Sequence, residues 1–328
     1  MPRKLEEFQI IEEFFKPLTD GCKAAQNLSD DVAKISLKAD EELVISKDLM
    51  VQDVASKLLR SNLSDLASAG AKPLHYVLGF SKNSGISEKF ISDFASGLKS
   101  VQDEFGISLI GGDTVTCEKL FFSITIFGVV KKNKTLNRAN AKKGDLIFVS
   151  GNVGDAYLGL KSLQNEAKIP ENSLKYLLDR HFFPNPRINL GKELLKQDLS
   201  KCAIDVSDGL FADLKHICKS SKLSAKIYQN KIPISEEAKL VMQENPEITL
   251  LDLASGGDDY ELIFTVNKKE IHKIEELSDK LGVKLTCIGE LWGEIENISK
   301  KDIVENFEIS LLNEKNQKIK IKKYGYEH

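Results

Sequence analysis

The sequence predicts a two-domain protein of mixed α and β layers, and three observations support that class. Its 328 residues exceed the roughly 250 to 300 at which a single hydrophobic core stops growing. Helix-like and strand-like stretches alternate along the chain, the order expected of layered α/β architectures. A polar linker over residues 131–144 carries turn formers without periodicity, and a buried strand-like run restarts directly after it. The boundary is therefore expected there, with one domain over residues 1–143 and the other over 144–328.

The opening segment places Leu5, Phe8, Ile11, Phe14 and Phe15 at helical spacing, which predicts an acidic amphipathic helix ended by Pro17 and Gly21. Strands are expected over 42–46, 76–80 and 120–130. In the last of these Phe122, Ile124 and Ile126 alternate with Ser123, Thr125 and Phe127. Helices are expected over 54–69 and 87–105. Beyond the linker the pattern reads as strand 145–150, helix 155–164, a strand near 203–205 and helix 210–221. Strands 224–228 and 261–266, helix 268–281 and strand 285–291 follow.

Composition excludes several classes. Hydrophobic residues at 41% and charged residues at 29% are those of a soluble globular chain, not a disordered one. The formal net charge is −3 and the basic residues are dispersed, which argues against a nucleic-acid partner; the Lys-rich stretch 315–323 reads as a solvated strand face. Five cysteines, odd in number and without a C-x-x-C pair, argue against a disulfide framework or a zinc site. They read as small buried hydrophobes. The five histidines form no ligand pair at helical spacing, and Trp292 is expected to pack near the C-terminal sheet. No apolar run approaches the roughly 18 residues of a membrane span. The N-terminus lacks signal-peptide character, so a cytoplasmic protein without membrane contact is expected.

Aspartates recur in short Gly- or Ser-containing contexts at the ends of expected strands: Asp30-Asp31, Ser46-Lys47-Asp48, Ser64-Asp65, Gly111-Gly112-Asp113, Asp205-Val206-Ser207-Asp208-Gly209 and Gly256-Gly257-Asp258-Asp259. Singly, each reads as a cap or a turn. Gathered in one cleft, they would repel each other and raise each other's pKa unless divalent cations intervened. Magnesium takes one or two carboxylates and leaves its other positions to water and substrate phosphates, so the set points to a nucleotide site. Glycine pairs fit that reading because a missing Cβ lets backbone N–H groups approach a phosphate. No Walker A, dinucleotide-binding or protein-kinase motif is present.

The ordered motifs NLSDLASAGAKP from Asn62, GGDT from Gly111, RHFFPNPR from Arg180, AIDVSDGL from Ala203, SGGDDYEL from Ser255 and GYEH from Gly325 resemble the thiamine-monophosphate kinase family along nearly the whole chain. That family shares the two-domain aminoimidazole ribonucleotide synthetase-like fold. The resemblance implies a homodimer in which the N-terminal sheets form a barrel, ATP as co-substrate, Mg2+ and thiamine monophosphate as the small-molecule substrate. It further implies that Asp31, Ser46, Asp48, Asp65, Asp113, Asp205 and Asp208 bind magnesium. Gly112, Asp113, Arg138 and Ser207 would contact ATP, and Asp258 and Tyr326 the thiamine phosphate. The acceptor phosphate is already anionic, so no general base is expected.

The chain departs from that pattern in three places. Only ten residues, Gln52 to Ser61, separate the Ser46–Val51 run from Asn62, so the family's His-bearing substrate loop is absent. Lys47 stands where a threonine is expected, either replacing one magnesium's charge or turned to solvent. Asn27 to Asp31 lacks the usual glycines, and Asp258 replaces a glutamate. Two other classes stay open from sequence: another ATP-dependent synthetase of the superfamily, and a nucleotide-binding homologue without catalysis.

Overall fold

The computed structural model describes residues 7–28, 35–50, 55–293 and 307–326. It divides into two compact units, residues 1–66 with 71–134 and residues 67–70 with 135–328.

The first unit holds strands β1 (Glu41–Met50), β2 (Lys72–Lys82), β3 (Ser108–Thr116) and β4 (Phe122–Lys131), with helices α2 (Ala55–Ser68) and α3 (Glu88–Phe105), after a short opening helix α1 (Glu7–Ile10). The sheet order is β1-β4-β2-β3; β4 is antiparallel to both neighbours and β3 runs parallel to β2. Parallel neighbours require a crossover, which α3 supplies. The alternation read in β4 is present: Phe122, Ile124 and Ile126 are buried while Ser123, Thr125 and Phe127 are half-buried. Ile91, Phe94, Leu98 and Val101 of α3 and Leu58, Leu59, Leu63 and Leu66 of α2 are buried. Ring centroids of Phe80 lie 5.1 Å from Phe15, 5.4 Å from Phe94 and 5.1 Å from Phe122, an aromatic cluster that anchors the helical opening segment.

That opening segment is helical as expected but phased differently. After α1 the chain opens into a wide turn over Ile11–Phe15, with Lys16 N–H donating to the Ile11 carbonyl, and then tightens over Lys16–Thr19. The wide turn re-aims the stripe, so that the apolar Ile10, Phe15 and Leu18 are buried while Ile11 and Phe14 are half-buried; Leu5 and the Phe8 side chain lie outside what is described. Pro17 does not end the helical run, because it falls in the first turn of the tight segment, where its missing N–H costs no bond.

The second unit is built on a seven-stranded sheet of order β11-β10-β7-β9-β5-β8-β6: β5 (Leu146–Ser150), β6 (Ala203–Asp205), β7 (Ser224–Tyr228), β8 (Leu262–Val266), β9 (Leu285–Trp292), β10 (Ile309–Leu312) and β11 (Lys318–Ile319). All pairs are antiparallel except β7 with β10. Its helices are α4 (Asp155–Leu163), α5 (Glu171–Phe182), α6 (Ile188–Lys196), α7 (Leu210–Ser221), α8 (Glu236–Glu244), α9 (Leu250–Ala254) and α10 (Ile271–Leu281). Ile204 of β6, Ile263 of β8 and Leu210, Phe211, Leu214 and Ile217 of α7 share the main core. Leu158, Leu177, Val241 and Leu253 form a second cluster among α4, α5, α8 and α9. Cys202 and Cys218 are buried in the core, whereas Cys22, Cys117 and Cys287 are half-buried; all five are free. Trp292 closes β9 with 41% of its surface exposed.

Antiparallel pairing places Asp205, the last residue of β6, opposite Leu262, the first of β8. The loops that leave β6 and enter β8 therefore meet at one end of the sheet, which positions the site described below.

Strand β3 has a specific steric demand. A Cβ added to Gly112 would lie 2.0 Å from the Leu78 carbonyl oxygen of β2, whereas one at Gly111 would meet only Val77 Cγ1 at 3.7 Å. Gly112→Ala must push two paired strands apart and is expected to cost about 1–3 kcal/mol, with Gly111→Ala below about 1 kcal/mol. Urea unfolding of the two variants checks this; equal midpoints would contradict the close approach.

Candidate active site

Ser46, Asp48, Gly112 and Asp113 lie within strands instead of at their ends, and Asp65 lies on α2. β1 continues through Ser46, Lys47 and Asp48 to Met50, and β3 carries Asp113 to Thr116. Alternation along a strand then divides the motif between two faces. Ser46 Oγ donates to Asp65 Oδ2 of α2, and Ser61 Oγ of α2 donates to Asp48 Oδ2 at 3.0 Å. Lys47 instead lines an open cavity of about 420 Å3 on the face turned away from α2, together with Gly112 and Asp113. The structure thus brings Ser46 to Asp65 and Asp48 to Ser61, and it sets Asp113 apart from both pairs. Asp31 lies outside the described residues.

Burial raises the pKa of Asp48, and the hydrogen bond from Ser61 relieves that only in part. Such a carboxylate gains from a cation brought by a ligand. Among the described residues no three His, Cys, Asp or Glu side chains form a ready-made metal cage. Hydroxyl-carboxylate pairs fit Mg2+ nonetheless, because that ion takes hard oxygens, needs one or two carboxylates and completes its shell with water and phosphate.

In the C-terminal unit three segments far apart in sequence are strapped together. The Asp258 N–H donates to the Ser207 carbonyl at 2.8 Å and the Tyr260 N–H to the Val206 carbonyl at 2.8 Å, while the Tyr326 N–H donates to the Asp208 carbonyl at 2.9 Å. Ser255 Oγ adds a bond of 2.6 Å to the Lys323 carbonyl. Gly257 allows the loops to close this far, since a Cβ there would sit 2.3 Å from the Ser207 oxygen. Ser207, Asp208, Asp258 and Tyr326 are therefore brought together, with Asp205 two residues away at the end of β6. Arg138 belongs to the same neighbourhood: partial burial lowers the pKa of His216 on α7, the positive charge of Arg138 acts in the same direction, and Asp208 opposes both.

Residues given no metal, nucleotide or substrate contact of their own in the sequence reading hold this arrangement, among them Asp259, which that reading groups with the strand-end aspartates. Asp213, in the first turn of α7, accepts the N–H groups of Ser207, Asp208 and Gly209 on one oxygen at 3.0, 3.0 and 3.1 Å. Its burial, followed by the charge of Asp208, pushes its pKa up to about 7. Those N–H groups are committed to Asp213 and so do not form an open backbone anion nest. Asp258 and Tyr260 have φ of 69° and 52°, left-handed values that cost of order 1 kcal/mol or more each outside glycine. Between them, buried Asp259 accepts the N–H of Gly154 at 2.7 Å and of Ala156 at 3.3 Å, at the start of α4. Glu261 receives Arg180 Nη2 at 2.9 Å, Arg187 Nε at 2.6 Å and Nη2 at 2.5 Å, and Ser150 Oγ at 2.5 Å. The strained turn carrying Asp258 is thus fixed on both sides by satisfied buried charges.

Tyr326 exposes 60% of its surface, with the Lys323 ammonium 5.9 Å from the ring centroid. An exposed phenol face attracts a cation, and the Lys323 ammonium is the cation beside it here.

Residues 29–130 match the family model of the AIR synthase related protein N-terminal domain, and residues 142–296 match that of its C-terminal domain. The thiamine-monophosphate kinase of Buchnera aphidicola subsp. Schizaphis graminum is 34% identical over 337 aligned residues, covering 98% of each chain. The crystal structure of thiamine-monophosphate kinase from Stenotrophomonas maltophilia K279a superposes with a TM-score of 0.79 at 31% identity, covering 93% of this chain and 96% of that one. A structure of AaThiL complexed with AMPPCP and TMP has the same fold at 22% identity, with a TM-score of 0.73 and complete coverage of both chains. On these likenesses, the chain belongs to the thiamine-monophosphate kinase family of AIR synthase related proteins.

Proposed function

We propose that this chain is an ATP-dependent kinase that converts thiamine monophosphate to thiamine diphosphate. The observation that carries the reading is the strapped arrangement of Ser207, Asp208, Asp258 and Tyr326 in a chain that aligns with 98% of a thiamine-monophosphate kinase. The acceptor phosphate is anionic near neutral pH, so the transfer needs alignment and charge neutralisation more than proton removal.

Mg2+, when bound, would neutralise the phosphate charge that builds up during transfer. Its protein ligands in this reading are Asp31, Ser46, Asp48, Asp65, Asp113, Asp205 and Asp208. Gly112, Asp113, Arg138 and Ser207 contact ATP. Asp258 and the ring of Tyr326 orient the thiamine moiety, and the bonds from Asp258 N–H and Tyr326 N–H to the 207–208 backbone support a fixed spacing between substrate and nucleotide contacts. The division of labour follows the expected domains, residues 1–143 for dimerisation and metal–nucleotide binding and 144–328 for closing over the ligands.

A homodimer is part of the proposal. Leu43 and Ile45 on the edge strand β1 expose 38% and 55% of their surfaces, an apolar edge that a second sheet would cover. A cytoplasmic location is part of the proposal; no helix among the described residues is long and apolar enough to cross a membrane.

Purified protein supplied with ATP, Mg2+ and thiamine monophosphate is expected to form thiamine diphosphate and ADP in equal amounts, measured by chromatography. ATP binding with no product from thiamine monophosphate would overturn the kinase reading in favour of a non-catalytic homologue. Asp208→Asn and Asp113→Asn are each expected to lower kcat roughly hundredfold or more while the circular-dichroism melting curve stays close to wild type. Near wild-type turnover of either variant at limiting Mg2+ would remove that residue from the metal set.

A further inference from the structure

Four consecutive side chains, 258–261, fall into two alternating pairs. Asp259 and Glu261 are buried and commit their carboxylates to groups that fix the fold: the Gly154 and Ala156 N–H groups for the first, Arg180, Arg187 and Ser150 for the second. Asp258 and Tyr260 meet each other instead, with Tyr260 Oη donating to Asp258 Oδ1 at 3.2 Å. They are also the two residues of the segment held at left-handed φ, 69° and 52°. Short polar residues visit that region elsewhere in this chain, at Asp20, Asn133, Asn165, Asp198 and Asn316, but Tyr260 is the only aromatic residue to do so among the described residues. Glycine would take the same conformation without a steric cost, yet the chain keeps a carboxylate and a phenol there. Strain of this kind persists where the side chains it aims have a use.

Both backbones are pinned, Asp258 N–H on the Ser207 carbonyl and Tyr260 N–H on the Val206 carbonyl, each at 2.8 Å. An aspartate on a fixed backbone retains two torsions, and a hydrogen bond to one of its oxygens restrains the rotation of the carboxylate. Tyr260 is 7% exposed, so packing holds its ring and makes its hydroxyl a stationary donor. We propose that Tyr260 is a positioning residue for thiamine monophosphate: its hydroxyl holds the half-buried Asp258 carboxylate in the orientation that receives the cationic thiamine moiety. A carboxylate ordered before the ligand arrives loses less entropy on binding. The inference rests on the kinase reading, with Asp258 as a substrate contact, and adds the group that aims that contact. The competing account is that the hydroxyl only satisfies a buried phenol, as buried tyrosines generally require.

Calorimetric titration of the full chain with thiamine monophosphate, in Mg2+ and AMPPCP to prevent turnover, separates the two accounts. Tyr260→Phe keeps the ring and removes the hydroxyl. It is expected to weaken thiamine monophosphate binding roughly fivefold, while AMPPCP affinity, titrated separately, stays within about twofold of wild type. Asp258→Asn suits the same left-handed backbone but removes the charge, and is expected to weaken thiamine monophosphate binding roughly tenfold. Adding Tyr260→Phe to Asp258→Asn is expected to change affinity by less than about twofold, because the charge being aimed is gone. Unchanged thiamine monophosphate affinity in either single variant overturns the proposal. So does an equal loss of both ligands in Tyr260→Phe, or an undiminished loss in the Asp258→Asn background. Thiamine diphosphate formation by the wild type is read separately. Product without a Tyr260 effect on thiamine monophosphate affinity overturns the positioning role alone. An effect of Tyr260 that vanishes with Asp258→Asn, without product, overturns the kinase reading alone, and a wild type that binds no thiamine monophosphate overturns both.

Discussion

Three consecutive peptide N–H groups converging on the carboxylate of Asp213 fix the loop on which the C-terminal site depends. A loop that turns its own N–H groups inward has a defined shape before any ligand arrives, and it presents Ser207 and Asp208 outward. The segments bearing Asp258 and Tyr326 then dock on the carbonyls of that loop. Without the Asp213 anchor, three donors in a buried turn would each cost about 1–3 kcal/mol, and the docking surface for the other two segments would go with them. Phosphoryl transfer gains most from such prior positioning, because little covalent chemistry is left for side chains to perform.

Carboxylates in this protein fall into two kinds. Asp213 and Asp259 are met by backbone N–H groups, Glu261 by two guanidinium groups, and Asp155 by the hydroxyls of Ser235 and Tyr176. These are buried, satisfied and structural. Asp48 has a single hydroxyl partner, and Asp113 lines an open cavity in which Lys47 is the only cation among the described lining residues. Charges of the first kind hold loops in place; charges of the second kind suit a bound cation. The strained φ values at Asp258 and Tyr260 sit where the first kind is densest, so the buried network around Asp259 and Glu261 offsets the cost of aiming Asp258.

Much of this was legible in the sequence, for physical reasons that differ by element. The period-two pattern of Phe122 to Phe127 is local and read directly as β4. β3 was not read as a strand, because Gly111 and Gly112 resemble a turn in isolation; only the Leu78 carbonyl on the neighbouring strand explains the second glycine. Lys47 and Asp48 look like one motif on paper, yet strand alternation sends them to opposite faces, and that required knowing that β1 runs on to Met50. Asp213 and Glu261 escaped notice because their partners are backbone groups or arginines 74 and 81 residues away, which no spacing rule links, while Asp259 stood among the strand-end aspartates with no sign that the Gly154 and Ala156 N–H groups occupy its oxygens. The opening helix shows the same limit, since a wide turn at Ile11–Phe15 re-phased an otherwise regular stripe.

The central claim is that acidic side chains of this fold serve a nucleotide through divalent ions. Anomalous diffraction from crystals grown with Mn2+, AMPPCP and thiamine monophosphate tests it most directly. The account predicts anomalous peaks at roughly 2.0–2.2 Å from carboxylate oxygens of Asp113 and Asp208 and from oxygens of the nucleotide. A nucleotide bound with both carboxylates bonded only to protein or water, and no peak beside either, would contradict it.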